Sequence, residues 1–173
     1  MAFLTFNKLQ TRTYQSADSL NAKSGYYGAG TKVFLSYRRE DRAYVVPVVE
    51  FLRKNGANIY IDYLDESLED DNTSVARQLR SRVGQCKKFI SLATPNSSKS
   101  KWMPWELGLG DRIVNYENVA VLPLTHSENN WGDQEYGKIY GRIENRSQFS
   151  SYESWQVVYP DGTAISLLDW IKK

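Results

Sequence analysis

The chain has 173 residues, 41% of them apolar, with 22 Lys and Arg against 20 Asp and Glu and a formal charge of +2. That length buries roughly 70% of its unfolded surface as one domain, and a single cysteine, Cys86, with a single histidine, His126, excludes an internal disulfide, a multi-thiolate metal site and a paired-histidine site. A near-balanced charge without a basic stripe argues against nucleic acid as a partner, and no apolar run approaches the roughly 18 residues of a membrane span. The lone cysteine fits a reducing compartment, and the start Met1-Ala-Phe-Leu-Thr-Phe6 has no basic n-region. A cytoplasmic protein without a membrane partner is therefore expected.

Residues 1–30 hold few regularly spaced apolar positions and end in Gly25-Tyr-Tyr-Gly-Ala-Gly30. They are predicted to form an N-terminal extension packed on, or tethered to, a domain spanning residues 31–173. Their glycines precede a strand, whereas a dinucleotide fingerprint follows a strand and opens a helix. Lys32-Val-Phe-Leu-Ser36 then reads as a buried parallel strand. Glu40 to Lys54 carries Tyr44, Val45, Val48, Val49 and Leu52 at helical spacing, with Pro47 expected to kink or shorten its first turns and Gly56 to stop it. Asn58 to Asp62 is the second strand, and Tyr63 to Asn72 an acidic loop. Thr73 and Ser74 are predicted to cap a helix bearing Val75, Leu79 and Val83. Lys88 to Ala93 is the third strand, a Pro95 to Ser100 loop leads into a helix near Pro104 to Gly110, and Val119 to Leu124 is the fourth strand. After a loop containing Trp131, the pattern predicts a helix around Gln134 to Ile143, a strand Gln156 to Tyr159, a Pro-Asp-Gly turn and a helix Ala164 to Lys172. Alternation of this kind predicts a parallel sheet with helices on both faces.

In such a sheet the ligand crevice lies beyond the carboxyl ends of the strands, at the switch in strand order. The first strand delivers Ser36-Tyr-Arg-Arg-Glu-Asp-Arg42, the second Asp62, and the third Thr94 to Ser100 followed by Trp102 and Glu106. Each group has a plain alternative. Arg38, Arg39 and Arg42 mixed with Glu40 and Asp41 read equally as a solvated helix start, Asp62 as a loop cap, Glu106 as a wet helix face, and Trp102 and Trp105 as core. On the residues alone the reading stops at an α/β domain with a polar crevice.

Two segments carry a resemblance. Lys32-Val-Phe-Leu-Ser-Tyr-Arg-Arg-Glu-Asp41 resembles the first box of Toll/interleukin-1 receptor (TIR) domains, and Ser100-Lys-Trp-Met-Pro-Trp-Glu106 is similar to that family's Ser-x-Trp-Cys-x-x-Glu motif. The resemblance spans about residues 31 to 173 and looks closest to bacterial stand-alone TIR proteins, including those of Thoeris-type phage defence. It implies a flavodoxin-like fold with a central parallel five-stranded sheet. Met103 stands where the family usually has Cys. The Arg-Asp-x-x-Pro-Gly pattern of receptor BB loops is absent, Asp62 to Asp71 taking its place.

What the resemblance implies is cleavage of the nicotinamide–ribose bond of NAD+, with Glu106 at the position of the catalytic glutamate. NAD+ enters as substrate, and no cofactor or metal is expected. Nicotinamide leaves a pyridinium as a neutral molecule, so no acid need protonate it, and one carboxylate suffices to stabilise an oxocarbenium-like transition state. Arg38 and Arg39 become candidates for the diphosphate, Tyr37 or Trp102 for stacking on a ring, Ser36 and Asp62 for binding ribose or ordering the loop, and Ser100 for substrate binding. The resemblance also implies self-association through TIR–TIR contacts, a phage-derived trigger, and an effector that senses an ADP-ribose-derived product, hydrolysed, cyclic or conjugated. The competing reading is a non-catalytic assembly scaffold acting through the acidic loop. A phosphoryl-accepting receiver domain shares the topology, but the third strand ends in Ala93-Thr94-Pro95 with no aspartate.

Overall fold

The structure, a computed structural model, describes residues 2–11, 25–27, 30–61, 72–100, 102–128, 131–132, 135–147 and 153–173. In chain order the elements are β1 (Leu4–Thr5), α1 (Phe6–Thr11), β2 (Gly25–Tyr27), β3 (Thr31–Ser36), α2 (Arg42–Lys54), β4 (Ala57–Ile61), α3 (Asn72–Val83) and β5 (Lys88–Ala93). There follow α4 (Trp102–Val114), β6 (Val119–Thr125), β7 (Gly141–Asn145), β8 (Trp155–Val158), β9 (Ala164–Ser166) and α5 (Leu167–Lys172).

The apolar runs become the middle of the sheet because strands covered on both faces have no polar side. Every residue of β5 and β6 is buried. β4, β3, β5, β6 and β7 are parallel neighbours in that order, the flavodoxin-like 2-1-3-4-5 arrangement. Antiparallel strands extend it at both edges, β2 beside β4 and β8 and β9 beyond β7. Period-two alternation sorts the side chains. Val33, Leu35, Ile90, Leu92 and Leu122 join one core cluster with α2 and α5. Phe34, Phe89, Val119 and Val121 join the other with Leu79 and Val83 of α3 and Leu107 and Val114 of α4.

α2 buries Val45, Val48, Val49 and Leu52, an i, i+3, i+4, i+7 stripe. Pro47 sits inside this helix, which stays continuous. The helix is shortened at its start, where Arg39–Asp41 form a 3-10 turn ahead of it. Gly56, at φ +90°, ends the excursion, and Gly30, at φ +103°, passes so close that a Cβ on it would lie 2.8 Å from the Gly56 carbonyl oxygen. α3 begins at Asn72, so Thr73 and Ser74 lie within its first turn instead of preceding it. The acidic loop 63–71 lies outside the described residues.

Two element assignments change. The predicted helix around Gln134 to Ile143 is a 3-10 turn, Glu135–Lys138, followed by β7. Ile139, Tyr140 and Ile143 mimic helical spacing, but two glycines weaken a helix there, and Gly141 packs so tightly that a Cβ would meet Val157 at 2.6 Å. The predicted helix Ala164 to Lys172 begins only at Leu167. Pro160-Asp-Gly162 closes a hairpin in which the Tyr159 amide donates to the Thr163 carbonyl at 2.8 Å, and Ser166 caps α5 by accepting from the Asp169 amide at 3.0 Å. The start of the 1–30 extension packs on the domain. β1 runs parallel to β6 with Leu4 opposite Leu124, and Phe3, Leu4, Phe6 and Leu9 are buried. Their spacing switches from strand to helix within six residues, which hides the periodicity.

Candidate active site

Strand order reverses between β3 and β5, and the residues that leave these strands meet there. Ser36, the last residue of β3, lies on the α4 side with Phe34 and is 3% exposed. Its hydroxyl donates to Glu106 Oε2 at 2.5 Å. Glu106 reaches this point because α4 lies flat on β5. The helix buries Met103, Leu107, Gly110 and Val114, and a Cβ on Gly110 would lie 2.7 Å from the Phe89 ring. Glu106, three residues after Met103 and four before Gly110, sits on the rim of that buried stripe. Met103 is 3% exposed and packs inward.

The first turn of α4 is set by Ser100, whose hydroxyl accepts from the Met103 amide at 3.1 Å. Pro104 costs nothing there, since first-turn amides have no helical acceptor. Trp102, 40% exposed, shares a helix face with Glu106 at i, i+4 and meets Trp105 edge-on, ring centroids 5.5 Å apart. Arg80 of α3 lies over Trp105 at 5.7 Å. An aromatic wall therefore flanks the carboxylate.

A second polar cluster ties the two loops together. Asp41 is fully buried. Its carboxylate accepts from the Thr94 hydroxyl at 2.6 Å and from Asn96 Nδ2 at 2.8 Å. The Ser97 hydroxyl accepts from the Thr94 amide at 2.8 Å and donates to the Leu92 carbonyl at 3.3 Å. The loop after β3 is thus bolted to the loop that leads into α4. Arg38 adds a strut. Its Nη1 donates to the Asn96 carbonyl at 2.7 Å, and its Nε and Nη2 engage Glu40. That guanidinium holds the Glu40 carboxyl below the usual carboxylate range.

The structure thus sets Ser36 against Glu106 and places Ser100 and Trp102 at the opening of the helix that carries Glu106. Arg38 has its guanidinium engaged by Glu40 and Asn96, and Arg39 lies exposed in the 3-10 turn. Tyr37 packs against the cluster on the α2 face, the side of the sheet away from α4. Asp62 lies outside the described residues. Sequence reasoning missed Asp41, Thr94, Asn96 and Ser97 as a unit. The signal was present as turn-forming side chains just past two adjacent strand ends. Among the described residues, no group of three His, Cys, Asp or Glu is placed to hold a metal ion, and no helix is long and apolar enough to cross a membrane.

Residues 33–154 match the family model of the TIR domain. The chain belongs to the TIR domain family. Its two motif segments fall where this geometry needs them, one on β3 and the turn after it, the other opening α4. The TIR domain is 31% identical over 127 residues to the probable 3′ cyclic ADP-D-ribose synthase ThsB′ of Bacillus cereus (strain MSX-D12), a match covering 67% of this chain and 64% of that protein. The chain thus aligns with less than two thirds of that relative's length. Among solved structures it matches a 2-deoxyribosyltransferase of Bacillus psychrosaccharolyticus at 16% identity and a TM-score of 0.39, over 52% of this chain and 70% of that one.

Proposed function

We propose that this TIR domain cleaves the nicotinamide–ribose bond of NAD+ and passes the ADP-ribosyl group to a nucleophile within the same molecule, giving a cyclic product. The observation that carries the reading is the Glu106 carboxylate held by the Ser36 hydroxyl at the β3/β5 switch point. As the C1′–N bond breaks, its electron pair returns to the pyridinium ring and nicotinamide departs neutral. Positive charge grows on C1′ and the ring oxygen, and the Glu106 carboxylate stabilises it. An oxygen or nitrogen of the ADP-ribosyl group then bonds to C1′ and releases its proton. Ser36 fixes the carboxylate's orientation, and because a carboxylate oxygen accepts more than one hydrogen bond, ribose hydroxyls can be held by the same group. Trp102 covers the crevice with an aromatic face, and the Asp41 cluster keeps both loops in register. Similarity to the probable 3′ cyclic ADP-D-ribose synthase of Bacillus cereus supports cyclisation over hydrolysis, and the motif resemblance to Thoeris-type TIR proteins supports a role in phage defence. In that role the domain self-associates, answers a phage-derived trigger and supplies its product to an effector.

The test incubates purified protein with NAD+, with and without phage lysate, and follows nicotinamide and the ADP-ribosyl product by mass spectrometry. Glu106→Gln is expected to lower both about 10³-fold while leaving the fold intact. Sustained turnover by a well-folded Glu106→Gln protein would overturn the assignment. Intact phage protection by that same variant would instead favour the non-catalytic scaffold.

A further inference from the structure

At the opposite end of β5 lies a cavity of about 480 Å³ whose lining includes the cations Lys88 and Lys173, the carboxylate-bearing Glu117, and Tyr159, Ile165 and Trp170. Lys88 opens β5, about 17 Å along the strand from its carboxyl end at a rise of about 3.3 Å per residue. It shares a face with Ile90 and Leu92 and is only 3% exposed. Its ammonium donates to Asn118 Oδ1 at 2.5 Å and sits 4.8 Å from the centroid of the Trp170 ring. An ammonium has three donors. Among the described residues, Asn118 is the one acceptor it meets, and no carboxylate lies within ion-pair distance of it.

The aromatic part of the wall hydrogen-bonds to itself and to one carbonyl. Trp170 Nε1 donates to the Glu117 carbonyl at 2.9 Å and to the Tyr159 hydroxyl at 3.0 Å, and that hydroxyl donates to the same carbonyl at 2.8 Å. The aromatic wall is therefore preorganised, and the buried ammonium is the group with donors to offer. Burial pushes the Lys88 pKa down, nearby Lys173 pushes the same way, and Glu117 opposes them. A buried cation of this kind is stabilised by an anion that supplies the missing charge and acceptors.

We propose that this cavity binds a small organic oxyanion, its carboxylate or phosphate oxygens between the ammonium groups of Lys88 and Lys173 and its apolar body against Tyr159 and Ile165. The volume falls in the range of small-ligand sites, roughly 300–1,000 Å³. The cavity opens at the amino ends of the strands, so the inference stands apart from the reaction proposed at Glu106.

The experiment titrates the ¹⁵N-labelled full chain with benzoate, phenyl phosphate and uncharged benzyl alcohol, reading amide and indole shifts by NMR. Saturable shifts at Asn118, Ile165 and the Trp170 indole are expected with benzoate, phenyl phosphate or both, and which of them binds names the head group. Lys88→Gln should weaken binding about tenfold or more and Lys173→Ser about threefold, as expected for lost charge-assisted hydrogen bonds, with Glu106→Gln unchanged. If Lys88→Gln fails to fold, exposed Lys173 decides alone. Equal binding of benzyl alcohol, shifts confined to the Glu106 crevice, no saturable shift with either anion, or indifference to both lysine changes would overturn the proposal.

Discussion

The two ends of β5 each bury a charged side chain and treat it oppositely. At the carboxyl end the Asp41 carboxylate, fully buried, accepts from Thr94 and Asn96. At the amino end Lys88, a residue 3% exposed, sets its ammonium against Asn118 and the face of Trp170. A satisfied buried network rigidifies what it joins, whereas a half-satisfied one leaves a demand unmet. The difference explains why the first end holds two loops in a fixed relation around Glu106 while the second borders a cavity.

The largest effect that tests this contrast belongs to the group the first network positions. Glu106→Gln removes the negative charge facing C1′ and keeps the shape, so nicotinamide release should fall about 10³-fold, the scale of losing a transition-state charge partner. Melting should barely move. A loss of less than tenfold would mean that the carboxyl end holds its loops for some purpose other than this reaction.

Next comes the network itself. Asp41→Ala removes the acceptor of the buried Thr94 hydroxyl, costing about 1–3 kcal/mol, and releases the side-chain amide of exposed Asn96 to water. Asp41→Asn is expected to recover part of this, since its single oxygen serves one of the two donors. Activity should drop with stability in Asp41→Ala through kcat more than KM, because the loops carrying Ser36 and Glu106 lose their bolt. Equal stability of Asp41→Ala and the parent protein in urea denaturation would break the contrast. Ser36→Ala is milder, costing about tenfold in turnover, because it frees the Glu106 rotamer and leaves its charge in place.

These same elements show what a sequence can disclose. β3, β5 and β6 were legible because both faces of each are covered and their apolar runs are continuous. β7 and β9 were not. Each pairs antiparallel with β8, and their placement depends on Gly141 packing under Val157 and on the hairpin at Pro160-Asp-Gly162, both decided by tertiary partners. Ser36, Trp102 and Glu106 could be singled out because motif and topology agree on them. The Asp41 bolt escaped notice because an aspartate among Arg38, Arg39, Glu40 and Arg42 looks like solvated charge until Thr94, fifty-three residues later, is set against it. Residues 2–11 escaped because a two-residue strand followed by a six-residue helix is too short to show a period.

The smallest expected effect is a pH slope at the amino end. Burial lowers the Lys88 pKa in the folded chain from its ordinary value of 10.5, Lys173 and Lys87 act in the same direction, and Glu117 opposes. Between the lowered folded value and 10.5 the unfolded chain binds the proton and the folded chain does not, so stability rises with pH across that window and the contribution is complete above 10.5. Below the window both states carry the proton, and the folded state bears the full cost of the buried ammonium. Lys88→Met removes the titrating group, so its stability relative to the parent should be best near neutral pH and should decline as pH rises toward 10.5. Urea denaturation in buffers free of phosphate and carboxylate reads this difference directly. A parent-minus-variant difference that stays flat across the window would mean that the ammonium is already satisfied, and the two ends of β5 would then be alike.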